Sequence, residues 1–73
     1  MAIAITPSDA TDLTTYAKAL YVGVAGDVRV LPVSNGDGAP VTFKNHPVGY
    51  APVQVRRVFA TGTTAGDIVG LVE

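Results

Sequence analysis

Cysteine and tryptophan are absent from this 73-residue chain, and histidine and methionine occur once each. Without cysteine there is no disulfide to staple a small domain. One histidine, His46, with no thiolate anywhere, leaves a structural zinc site short of ligands. Charge is scarce as well. Five basic and six acidic residues give a net charge of −1, and charged residues make up 15% of the chain, against roughly 25% in an average soluble domain. They are spread without blocks, so the sequence carries no electrostatic footprint for a nucleic-acid backbone. No apolar run approaches the roughly 18 residues of a membrane-spanning helix. The start, MAIAITPSDATD, lacks the basic n-region and long apolar h-region of a secretory signal. These absences predict a soluble protein made in a cytoplasm, with no bound metal, no cofactor and no membrane anchor.

What is present is apolar. Such residues are 48% of the chain. A domain of this length buries only about 60% of the surface its unfolded chain exposes, and its core alone supplies about 3–5 kcal/mol. Without a staple, the remaining source of stability is a partner, and the surplus of apolar side chains needs one too. The composition therefore predicts a homo-oligomer.

The chain divides at about residue 18. Residues 1–18 read as an N-terminal arm or short helix. TPSDATDLTTYAK (Thr6–Lys18) is rich in residues that bond their own backbone, and Ser8 or Thr11 is placed to cap a helix over 12–18. Residues 19–73 read as a β-domain. The runs ALYVGV (19–24), DVRVLPV (27–33), PVTFK (40–44), PVQVRRVFA (52–60) and DIVGLV (67–72) are short, β-branched and mostly alternating. Pro32 places the end of its run at an edge or a bulge. Ala25-Gly26 is short enough for a tight hairpin, and Asn35-Gly36 is the strongest turn signal in the loop 34–39. AGDV (25–28) and AGDI (65–68) repeat one device, a glycine and an aspartate ahead of a β-branched residue. The predicted fold is all-β, a single-domain sandwich or barrel of five to six short antiparallel strands.

Three runs depart from simple alternation. In VQVRRVFA, Val53 and Val55 share a face, and strict continuation would add Arg57 to it. Either a bulge at Arg56-Arg57 returns Val58 to the valine face, or the strand has no wet face and Phe59 joins the valines. DIVGLV and ALYVGV are apolar on both faces, as expected of strands covered on both sides.

Chemistry finds little purchase. Asp9 and Asp12 sit among turn formers and read as local caps; Asp27 and Asp67 follow glycines in turns; His46 reads as a solvated loop side chain. No serine lies in a G-x-S-x-G context. GTTAG (62–66) lacks the lysine and following helix of a phosphate loop, GVAG (23–26) lacks the helical hairpin of a KH module, and NGDG (35–38) lacks the further carboxylates of a calcium loop. No enzyme activity and no catalytic residue is expected. A small barrel binding single-stranded nucleic acid is the rival from another class. It would need Tyr21, Phe43, Tyr50 and Phe59 interleaved with Arg29, Arg56 and Arg57 on one face.

The order TDLTTYAKALYVGVAGDV (11–28), VTFKN (41–45) and PVQVRRVFATGTTAGDIVGL (52–71) resembles the spike base protein family of tailed phages and phage-like gene transfer agents, over about 60 of the 73 residues. Pro47-Val48-Gly49-Tyr50 stands where that family has a Pro-Ala-Gly turn. The resemblance implies a non-enzymatic structural virion protein that forms an oligomeric base on the capsid surface and attaches a spike or fibre to the head. Implied partners are further copies in a pentameric or trimeric ring, the major capsid protein and a spike fibre protein, with assembly in a bacterial cytoplasm. A capsid-decorating (cement) protein or a tail-associated protein are the alternatives within the virion. The candidate oligomer-interface residues are Tyr21, Arg56, Arg57, Phe59, Gly62, Thr64, Val69 and Leu71. The run of small residues around Gly62 reads as a place where another backbone, that of a neighbouring subunit, comes close.

Overall fold

Alternation of apolar side chains builds seven strands in a computed structural model that describes residues 2–36 and 38–72. Asp37, in the NGDG loop, and the terminal Met1 and Glu73 lie outside the described residues. The strands are β1 (Ala2–Ala4), β2 (Ala19–Val24), β3 (Gly26–Pro32), β4 (Val41–His46), β5 (Gly49–Ala51), β6 (Val55–Val58) and β7 (Gly66–Leu71). They form two antiparallel sheets, one in the order β1-β7-β2-β5 and the other β4-β3-β6. The fold is all-β, as the alternation predicts. The five apolar runs each contribute a strand, and β1 and β5 are three-residue additions. β7, last in chain order, lies between the first two strands.

The core lies between the sheets. Leu20 and Val22 of β2, Val28 and Val30 of β3, Val55 and Val58 of β6, and Ile68 of β7 all point into it, closed by Ile5, Ala17 and Ala51. Each is an alternate residue of its strand except the β6 pair, which lies three apart. The register explains the exception. Leu31 pairs with Arg57 while the next residue, Pro32, pairs with Val55, so Arg56 is the extra residue of a bulge. Of the two sequence readings, the bulge is the one realised, and it keeps both arginines out of the core. Pro32 sits at that register shift, where a missing N–H costs no ladder bond.

Ala25 makes no hairpin. β2 belongs to the four-stranded sheet and β3 to the three-stranded one, so the short connection turns a corner of the sandwich. The link from β6 to β7 is a second corner. The two Ala-Gly-Asp segments meet there. The N–H groups of Thr64 and Ala65 donate to the Asp27 carbonyl (2.8 and 3.1 Å), and Asp27 N–H donates to Thr64 Oγ1 (2.9 Å). A Cβ on Gly26 would stand 2.7 Å from Ala65 N, and one on Gly23 would stand 2.8 Å from Asp67 Cβ. Gly62 has φ +93°, and a Cβ there would meet Arg29 Cδ at 2.9 Å. The smallness of this stretch thus has causes within the chain itself.

Residues 5–18 run from one sheet to the other and back. Ile5 N–H donates to the Ile68 carbonyl (2.9 Å), tying the start of the segment to β7. Ser8 and Leu13 then donate to the carbonyls of Val58 and Arg56 (2.8 and 2.7 Å), and Ala17 exchanges two bonds with Val55 (3.0 Å each). This arm therefore covers the outer edge of β6, an edge strand otherwise open to pairing with another chain. It is extended and irregular, with no helix over 12–18. The Ser8 hydroxyl closes a turn by accepting from Ala10 and Thr11 N–H (3.3 Å each).

Candidate assembly interface

Strand register sorts the apolar residues that the core does not take. On the outer face of the four-stranded sheet, Ala2, Leu71 and Ala19 lie in one row, and Ala4, Val69, Tyr21 and Tyr50 lie in the next. Neither row contains a charge. Tyr21 and Tyr50 meet edge to face with ring centroids 5.2 Å apart. Tyr50 remains 66% exposed, the most exposed large apolar side chain among the described residues. Among the described residues, the first charge along this face is Asp67, beyond the second row on β7. Two adjacent rows without a charge on an otherwise exposed face make it a candidate assembly surface. Tyr21, Val69 and Leu71, three of the residues singled out from sequence, come together here. Tyr50, Ala2, Ala4 and Ala19 join them. The membership of Ala2, Ala4 and Tyr50 had no signal in the sequence, because it depends on the three-residue strands β1 and β5.

A second group lies on the other sheet. Asp12 accepts from Arg56 Nη1 (3.0 Å) through one carboxylate oxygen and from Arg57 Nε (2.7 Å) through the other. Arg56 Nη2 also donates to the Asn35 carbonyl (2.9 Å). Arg57 and Arg29 both lie over the Phe59 ring, 5.5 and 5.0 Å from its centroid. Asp9 accepts from the backbone N–H and the hydroxyl of Thr61 (2.9 and 2.6 Å). Asp9 and Asp12 are therefore not local caps: their partners lie 44 to 52 positions away. They fasten the arm to the β6 region. Of the remaining sequence candidates, Arg56, Arg57, Phe59 and Gly62 belong to this second group, and Thr64 supplies the hydroxyl at the sandwich corner.

Both carboxyls are held below the usual aspartate range. The Thr61 hydroxyl does this for Asp9, and the Arg57 guanidinium, followed by that of Arg56, for Asp12. The folded-state values lie below the unfolded value of about 4. The stabilisation is fully present above that value and fades as pH falls through the lowered folded values. The arm is expected to stay fastened at neutral pH and to loosen only in strong acid. Asp12→Asn should reproduce the acid state at pH 7, with the N–H groups of Ser8 and Leu13 losing most of their protection from hydrogen exchange. If both stayed as protected as in the parent protein, the fastening role of Asp12 would be ruled out.

The geometry also bears on chemistry. His46 lies at the end of β4 with Nδ1 2.6 Å from the Pro47 carbonyl. Asp27 Oδ1 accepts from Asn45 N–H (2.9 Å). Among the described residues, no three acidic, histidine or cysteine side chains cluster as a metal site would require. The residues of the nucleic-acid reading do not share a face. Tyr21 and Tyr50 lie on one sheet, whereas Phe59 is buried under arginines on the other. Bases need aromatic faces open beside the cations.

No family model matches the chain, and no curated protein matches it. Among solved structures, a chain in the capsid of a native gene transfer agent particle, determined with five-fold (C5) symmetry, superposes with a TM-score of 0.81. It is 37% identical over 96% of this chain and 79% of that one.

Proposed function

Because this chain belongs to the same family as that gene transfer agent capsid chain, and so with the structural proteins of phage-like particles, we propose that it forms the base of a spike. In this reading, copies assemble into a ring on the capsid surface, and the ring joins a spike or fibre to the head. The role is passive: no substrate is turned over.

The observation that supports this reading most is the pair of adjacent rows without a charge on the outer face of the four-stranded sheet. The two rows, centred on Val69, Tyr21 and Leu71, offer what a permanent interface uses: aromatic and aliphatic side chains with no charge to desolvate. A standard interface buries about 1,600 Å² in total, and on a domain this small that takes much of one sheet. The capsid of the related particle was computed with C5 symmetry, and a ring centred on a five-fold vertex would hold five copies.

Mass measurement of the purified protein by light scattering or native mass spectrometry tests the ring. The expected result is a single closed oligomer that persists on dilution to micromolar concentration. A folded, stable monomer under those conditions would overturn the proposal. An image of the particle tests the location. Density at the vertices, beneath a spike, is expected; density at three-fold positions would make this a cement protein, and density on the tail would remove it from the head.

A further inference from the structure

The edges of the sandwich are treated unequally. The β6 edge is paired by the chain's own arm, while β4, six residues long, forms the rim of the same sheet with nothing described along its outer side. Its outward-facing groups follow from β3. Arg29 turns its backbone away from β4: its carbonyl accepts from Phe59 N–H (2.8 Å), and its N–H donates to Thr63 Oγ1 (3.0 Å). Successive residues of an antiparallel ladder bond to alternate sides. Val28 and Val30 therefore face Phe43 and Val41, and Thr42, opposite Arg29, points its N–H and carbonyl to the open edge. Asn45 N–H points inward again, to Asp27 Oδ1, so Lys44 faces outward like Thr42. Both residues are exposed. Two donor–acceptor pairs, two residues apart, match one extended segment of chain.

Against this strand lies an open, almost wholly apolar cavity of about 290 Å³, lined by Phe43, His46, Ala51, Pro52 and Val53. That is near the lower limit for a small-molecule site of about 300 Å³ and suits an anchoring side chain. Charge narrows the choice of occupant. β4 carries Lys44, and neither the strand nor the cavity lining carries a carboxylate. Lys44 and the register shift between β3 and β4 also blunt the edge against indiscriminate pairing.

We propose that the β4 edge and this cavity form a docking site for an extended segment of another protein. The segment adds as a strand along Thr42–Lys44, seats one aliphatic side chain in the cavity and sets a carboxylate against Lys44. A second copy of this chain is the poorer occupant, because its own acidic extended stretch, Asp9 to Asp12, is already bonded to Thr61, Arg56 and Arg57. The proposal does not depend on the spike-base reading.

The test uses a nine-residue synthetic peptide of alternating threonine and aliphatic residues, with a central leucine and a glutamate at each end. Bound peptide should slow hydrogen exchange at the Thr42 and Lys44 amides by roughly tenfold or more. Thr42→Pro removes the donor at a position where an edge strand tolerates proline; it should keep the fold and lose the peptide. Val53→Trp should weaken binding by filling the cavity, and Lys44→Glu should transfer the preference to a peptide ending in lysines. Unchanged exchange at both amides, or equal binding by Thr42→Pro, would overturn the proposal. Slowing that appears with rising protein concentration and no peptide would overturn the choice of partner and assign the edge to a second copy.

Discussion

Leu20→Ala is expected to leave the isolated domain largely unfolded at 25 °C. Leu20 is completely buried in β2 and packs at the centre of the core. Truncating a buried leucine costs about 2–5 kcal/mol, the removed methyl groups and the cavity left behind both contributing. A core of this size supplies only about 3–5 kcal/mol, and no disulfide backs it up. The folded-to-unfolded ratio should fall roughly 30-fold to several-thousand-fold. Circular dichroism and urea titration of the variant at low micromolar concentration measure it. A midpoint within experimental error of the parent would mean that the core relaxes around the gap, which the strands on both sides of Leu20 should prevent. Because association adds stability by mass action, raising the protein concentration should recover part of the loss if the oligomer is real.

Val69→Lys should have the opposite signature: fold kept, assembly lost. Val69 lies in the second row of the outer face, between Ala4 and Tyr21. In an isolated subunit its side chain points to water, and a surface substitution there is worth about 0.5 kcal/mol or less. In a covered face the new ammonium is taken out of water among apolar side chains, at a cost of several kcal/mol. Since every 1.4 kcal/mol is tenfold, association should weaken by about two to three powers of ten. The paired readouts are the mass of the assembly and the unfolding curve of the subunit. An oligomer of unchanged mass would remove this face from the interface; loss of both assembly and fold would mean that the face supports the monomer itself.

Much of the fold was legible in the sequence. The five runs that alternate, or are apolar throughout, all became strands, because burial on one or both faces is a local pattern. β1 and β5 were not legible: three residues carry no period, and both exist only because β7 and β2 present edges to them. The corner at Ala25 was read as a hairpin because the two-residue link Ala25-Gly26 serves either geometry; which one forms depends on which sheet each strand joins, and in the structure Gly26 already belongs to β3. The bulge at Arg56 was visible as an alternative, since two adjacent arginines could not both be kept out of the core without it. The candidate interface was legible in part. Tyr21, Val69 and Leu71 stood out as apolar residues on strands whose other face was already apolar. The two aspartates of the arm were misread for a physical reason. Asp9 and Asp12 have short side chains and local cap potential, and nothing nearby in sequence marks partners some fifty residues away.

The placement of β7 has a consequence in time. Because Gly66–Leu71 fills the gap between β1 and β2, the sheet that carries the candidate interface has no continuous form until that last strand is synthesised. Before then, β1 and the arm have no β7 to pair with, and half the core has no lid. Closure depends on pairing residues far apart in sequence, which is slow compared with helix formation. The two rows of the candidate face are brought together only by β7, so that face comes into being with the fold and not before it.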